Sequence, residues 1–214
     1  MTLQSLRSTQ SQDGGWQDRL SSLAHDRVSL LDIEEHSVDS FVENYPYPGQ
    51  TILTGELRYQ EEIGDFQQGH GRTVSGEFEF RTGSQMFILK MDTDMPSPNT
   101  IIRDLNSALS EQIQIYRNLF ATPRNLWDFI DQADEILEIT VLIDGHEHPY
   151  DEIEDTPVED VIGNHPIETA RVVFTFNGDP VHLKYANGSI SIRNSDAEAD
   201  EYVIQLFEKY VLEP

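Results

Sequence analysis

Residues 171–193 read RVVFTFNGDPVHLKYANGSISIR, and this stretch decides the fold. Val172, Phe174 and Phe176 stand at every second position, as do Val181, Leu183 and Tyr185, and then Ile190 and Ile192. A period of two puts each set on one face of a strand. The runs are separated by Asn177-Gly178-Asp179-Pro180 and by Ala186-Asn187-Gly188. Asn-Gly is the pair that best accepts the left-handed backbone of a two-residue hairpin loop. The stretch therefore predicts a three-stranded antiparallel meander.

Working outward, Ala199, Tyr202, Val203, Leu206, Phe207 and Tyr210 form a stripe at helical spacing, with Ser195 as the expected cap of a helix over 197–212. Upstream, Leu126, Trp127, Phe129 and Ile130 predict a short helix that leads into an alternating strand of Leu137, Ile139, Val141 and Ile143. Asp144-Gly145 closes that strand, and 144–168 is acidic and loop-like, with one helical turn expected near Pro157–Ile162.

The N-terminal half repeats the theme without repeating residues. Leu53, Gly55, Leu57 and Tyr59 share one strand face, as do Val74, Gly76, Phe78 and Phe80, leaving Glu77, Glu79 and Arg81 for a solvated face. Thr82-Gly83-Ser84 turns the chain into the apolar run 86–91. After Pro96-Ser97-Pro98, the stripe Ile102, Leu105, Leu109, Ile113, Tyr116 and Phe120 predicts a long helix over 99–120, ended by Pro123. A short helix is expected from Ser37, ending before Tyr45-Pro46-Tyr47-Pro48-Gly49. The predicted class is α+β: antiparallel strands, in one sheet or two, with two long amphipathic helices packed on them. The expected organisation is a disordered tail over 1–14, a half over 15–123 and a half over 124–214, consistent also with one continuous domain.

Thirty-nine acids against 14 bases give a net charge of −25 across 214 residues. Such self-repulsion opposes a compact state unless ions screen it, and near 1 M salt the screening length is only about 3 Å. Three lysines, Lys90, Lys184 and Lys209, stand beside eleven arginines. The composition resembles that of archaeal proteins working in concentrated potassium chloride. Hydrophobic residues at 37% and aromatics at 9%, in periodic runs, exclude an acidic disordered chain. There are no cysteines, so disulfides, thiolate catalysis and sulfur-ligated zinc are excluded. The N-terminus lacks an apolar signal core, and no run reaches the roughly 20 apolar residues of a membrane span, so a cytoplasmic location is expected.

Two stretches carry metal-ligand chemistry. In His146-Glu147-His148 the histidines share a strand face, and with Glu152 they could hold a divalent metal. The stretch partly resembles the first motif of the cupins, His-X-His before a glutamate on a barrel strand, although the upstream glycine and a second histidine motif are missing. Asp92-Thr93-Asp94 after Gly83-Ser84 resembles the magnesium-binding Asp-X-Asp of nucleotidyltransferases, with far shorter spacing and a polar middle residue. Gly69-His70-Gly71-Arg72 reads as a surface loop with neither a P-loop nor a dinucleotide fingerprint. Arginines scattered among acids give no basic run, which disfavours nucleic acid. Trp16, Phe41, Tyr45 and Tyr47 lie in a poorly patterned region and mark a candidate protein-partner surface. No residue is assigned a catalytic role and no cofactor is predicted. The resulting reading is a non-catalytic binding, assembly or regulatory protein with a protein partner; the alternative is a metal-dependent hydrolase or nuclease using Asp92 and Asp94, or His146, His148 and Glu152.

Overall fold

A computed structural model describes residues 3–11, 16–21, 23, 26–62, 71–91, 96–109, 113–119, 121–153, 161–193 and 196–212. The class is α+β and the sheet is mostly antiparallel. Two compact units emerge: Thr2–Val38 with Gln50–Leu119, and Asp39–Gly49 with Phe120–Pro214. The second thus includes a segment expected to belong to the first half.

In the N-terminal unit, strands β1 (Leu3–Ser11), β2 (Val28–Ser37), β3 (Thr51–Glu62), β4 (Gly71–Arg81) and β5 (Met86–Met91) lie in the order β2-β3-β4-β5-β1, and β6 (Ile113–Ile115) pairs with the end of β1. Helices α1 (Trp16–Ser21) and α2 (Pro98–Ala108) complete the unit. The alternating residues of β3 and β4 behave as their pattern demands: Leu53, Leu57, Tyr59, Phe78 and Phe80 are buried in one cluster with Trp16, Ile101, Ile102 and Leu105. The β2 strand carries a bulge between Leu31 and Glu34, with Asp32 at φ 50°. There the backbone closes on Gly55, where a Cβ would stand 2.7 Å from the Leu31 carbonyl oxygen and 2.7 Å from the Phe78 ring. Tyr59 donates to Asp104 at 2.8 Å, which fastens β3 to α2. Burial works to raise the Asp104 carboxyl, but the bonds from Tyr59 and Arg103 outweigh it and hold the group below its ordinary value.

Three expectations fail here. Within the tail expected over 1–14, the described residues Leu3–Ser11 are a strand, β1, paired along β5 with Leu6 opposite Ile88. Its polar residues hid it: Gln4, Ser5, Arg7 and Thr9 are buried, and Thr9 satisfies its hydroxyl on the Gln85 carbonyl at 2.8 Å. The helix expected over 99–120 ends at Ala108, with Leu109 already extended. Ile113 and Ile115 fit strand alternation as well as helical spacing, and the Asn106 amide decides for β6 by bonding both the N–H and the carbonyl of Ile115. Finally, Glu79 and Arg81 do not face water. Arg81 is 0% exposed and Glu79 6%, on a face shared with Leu6, Met86 and Ile88.

In the C-terminal unit, β7 (Glu135–Ile143), β8 (His146–Pro149), β9 (Ile167–Phe176), β10 (Asp179–Ala186) and β11 (Ser189–Arg193) lie in the order β11-β10-β9-β7-β8. The meander has the expected loops, with Asn177, Gly178, Asn187 and Gly188 all at positive φ. Asp144 and Gly145 make a third loop of this kind, so part of the expected 144–168 loop is β8 instead. Helices α3 (Pro123–Ile130) and α4 (Ala197–Val211) supply the other buried surface: Phe129 packs on Phe174 and Phe207 at ring separations of 5.4 and 5.1 Å. Asp196, rather than Ser195, caps α4 by accepting from the Glu198 N–H; Ser195 lies outside the described residues. The two helices expected to be long have eleven and fifteen residues. Among the described residues no helix is long and apolar enough to cross a membrane.

Segment 39–49 contains no helix and runs along α4. Gln205 accepts from the Phe41 N–H at 2.8 Å and donates to the Asp39 carbonyl at 2.8 Å, Lys209 donates to the Glu43 carbonyl, and Tyr45 donates to the buried Glu208. Replacing Tyr45 with Phe removes one donor from that carboxyl group and is expected to lower stability by about 1–2 kcal/mol. Thermal unfolding of the variant checks this, and an unchanged Tm would contradict it.

Candidate anion-binding groove

Where the structure places the expected site residues is decisive for most of them. His146 and His148 share one side of β8, but both are exposed, and Glu152 is exposed in the following 3-10 turn (Tyr150–Glu152). Among the described residues no three His, Asp or Glu side chains are grouped to hold a metal ion, so this trio is not assembled. Asp92 and Asp94 lie outside the described residues. Trp16 is 4% exposed and rests on Phe80 at 3.9 Å, while Tyr45 is 7% exposed. Phe41 meets Phe176 edge-on at 5.6 Å, and Tyr47 donates to the Leu212 carbonyl. Trp16 belongs to the N-terminal core, and the other three help fasten segment 39–49 within the C-terminal unit.

The chemistry collects elsewhere. The face of the C-terminal sheet turned away from Phe129 and α4 holds a groove of about 690 Å³, with Leu137 and Glu138 of β7, Thr169 and Arg171 of β9, His182 and Lys184 of β10, and Ser191 and Arg193 of β11 in its lining. The alternation that buries Val172, Phe174, Val181 and Leu183 sends Arg171, His182 and Lys184 outward, and all three are exposed, as is Arg193.

Register then brings basic residues together, Lys184 and Arg171 being both permanent cations. Lys184 lies directly opposite Arg171, and His182 directly opposite Arg193. Opposed residues on antiparallel strands have Cβ atoms about 4.5–5.5 Å apart, and like charges so placed are destabilising. Glu138 relieves part of this through a 3.4 Å contact with Arg171, both side chains being more than half exposed. An exposed pair of that kind contributes about 0–1 kcal/mol. Lys184 has no such acid among the described residues. Next to the groove, Ile136 and Leu137 are 50% and 45% exposed at the β7 irregularity between Ile136 and Glu138.

These residues escaped attention in the sequence because they stand far apart along the chain. The signal was nevertheless there: a two-residue loop at Asn177-Gly178 fixes Arg171 opposite Lys184, and the one at Asn187-Gly188 fixes His182 opposite Arg193. Comparison of the chain with protein-family models and with curated proteins finds no match.

Proposed function

We propose that the protein is a non-catalytic binding protein of a cell interior rich in potassium chloride, and that it takes an anionic ligand on the outer face of its C-terminal sheet. The observation that carries this reading is the opposition of two permanent cations, Lys184 and Arg171, on neighbouring strands. A chain with 39 acids and 14 bases had acids in abundance to set against those cations. Stability alone favours opposite charges across strands, so a face that keeps basic residues opposed is better explained by something negative that binds between them. Among the described residues the groove offers donors, cations and the His182 imidazole, and Glu138, its one carboxylate there, is already engaged by Arg171.

The test is to isolate the protein at high salt, denature it and identify the small molecules released. An anionic compound recovered chemically unchanged with the wild type, and lost from an Arg171→Gln/Lys184→Gln variant, supports the reading. Recovery of a reaction product, or equal recovery from the variant, contradicts it.

The salt-rich setting makes a separate prediction. Because repulsion among exposed acids is screened within about 3 Å at 1 M salt, Tm is expected to rise by several degrees between dilute buffer and molar potassium chloride. Cooperative unfolding at the same temperature in both would contradict that setting.

A further inference from the structure

The geometry points to a small organic phosphate, a monoester or a polyphosphate, as the ligand of the groove formed by Arg171, His182, Lys184 and Arg193; this inference rests on the anion-binding reading above. Charge is the first argument. Among the described residues the lining carries three permanent cations and one acid. A single carboxylate carries one negative charge and is matched by one guanidinium. A phosphate monoester carries about −1.5 to −2 near neutral pH and offers three strong acceptor oxygens.

Donor arrangement is the second argument. The cations rise from three adjacent strands about 4.7–4.9 Å apart, with the hydroxyls of Thr169 and Ser191 in the same lining. Two guanidiniums can each bind phosphate oxygens in bidentate fashion, while the ammonium acts as a point charge. Donors carried on three strands suit a tetrahedral anion better than a planar one.

Size and composition bound the rest of the ligand. A groove of about 690 Å³ matches a small molecule, for which pockets of roughly 300–1,000 Å³ are usual. Leu137 supplies an apolar wall for the organic part. Among the described residues no aromatic side chain lines the groove, so they supply no stacking platform of the kind single-stranded nucleic acids use.

The test is calorimetric titration of the intact protein with pyrophosphate and, separately, with citrate, which carries comparable charge on carboxylates alone; a single-stranded oligonucleotide is the third probe. Pyrophosphate is expected to bind, citrate at least tenfold more weakly, and Lys184→Gln to weaken pyrophosphate at least tenfold. Because Lys184→Gln removes a like-charge contact from an exposed position, its Tm should match or exceed that of the wild type, so loss of binding cannot be ascribed to unfolding. Citrate binding as tightly as pyrophosphate overturns the phosphate assignment and leaves anion binding standing. An oligonucleotide binding far more tightly than pyrophosphate overturns the small-molecule assignment. Binding of none of the three, or binding unaffected by Lys184→Gln, overturns both the inference and the reading beneath it.

Discussion

Replacing Arg81 with alanine is expected to lower the stability of the protein by about 3–5 kcal/mol, the range for breaking a buried ion pair from one side. Arg81 is fully buried and donates to Glu79 at 2.6 Å, while Lys90 reaches the other carboxylate oxygen at 3.0 Å. Burial works to raise the Glu79 carboxyl, but Lys90 and Arg81 together outweigh it and hold the group below its ordinary value of 4.5. A depressed folded-state value means that the network contributes in full above the ordinary value and loses that contribution as pH falls through the lower one. Acid unfolding of the wild type should therefore include this loss below pH 4.5, and the Arg81→Ala variant should unfold at higher pH. A double variant, Glu79→Gln with Arg81→Met, leaves no buried charge unmatched on that strand and is expected to recover most of the stability. Urea unfolding at neutral pH distinguishes the two. Equal loss in the single and double variants would contradict the network.

The second large effect is expected at Phe129. This ring is fully buried between Phe174 of β9 and Phe207 of α4, so it joins α3 to both the sheet and the terminal helix. Truncation to alanine removes the ring's transfer free energy and leaves a cavity that three secondary-structure elements would have to close. Large aromatic truncations of this kind cost about 3–5 kcal/mol. Phe129→Leu should cost clearly less, because much of the volume is kept. Chemical unfolding of both variants tests the ranking, and a loss below about 1 kcal/mol for alanine would show that the cluster does not hold the unit together.

What the amino-acid order revealed depended on whether local pattern and tertiary use agreed. In the meander they agreed: the Asn-Gly loops and the apolar alternation specify strands, loop type and register at once. In β1 they did not. Leu3–Ser11 is a strand because it pairs with β5 and β6, and its buried Gln4, Ser5, Arg7 and Thr9 leave no alternation to read. Glu79 and Arg81 misled for a related reason: charges on the far face of a strand look solvated until a partner such as Lys90 and burial on both sides are known. Ile113 and Ile115 satisfied two periods, and a single side chain, Asn106, selected between them. The candidate site has the same character. Each base of the groove looks dispersed along the chain, and only cross-strand register makes neighbours of Arg171, Lys184, His182 and Arg193.

Mapping the groove in solution tests the central claim most directly. In a two-dimensional amide NMR titration with pyrophosphate, shifts are expected to concentrate on β9, β10 and β11 around Arg171, His182, Lys184 and Arg193, and to disappear in Lys184→Gln. Shifts centred on other strands, or a spectrum that pyrophosphate leaves unchanged, would contradict an anion site on this face.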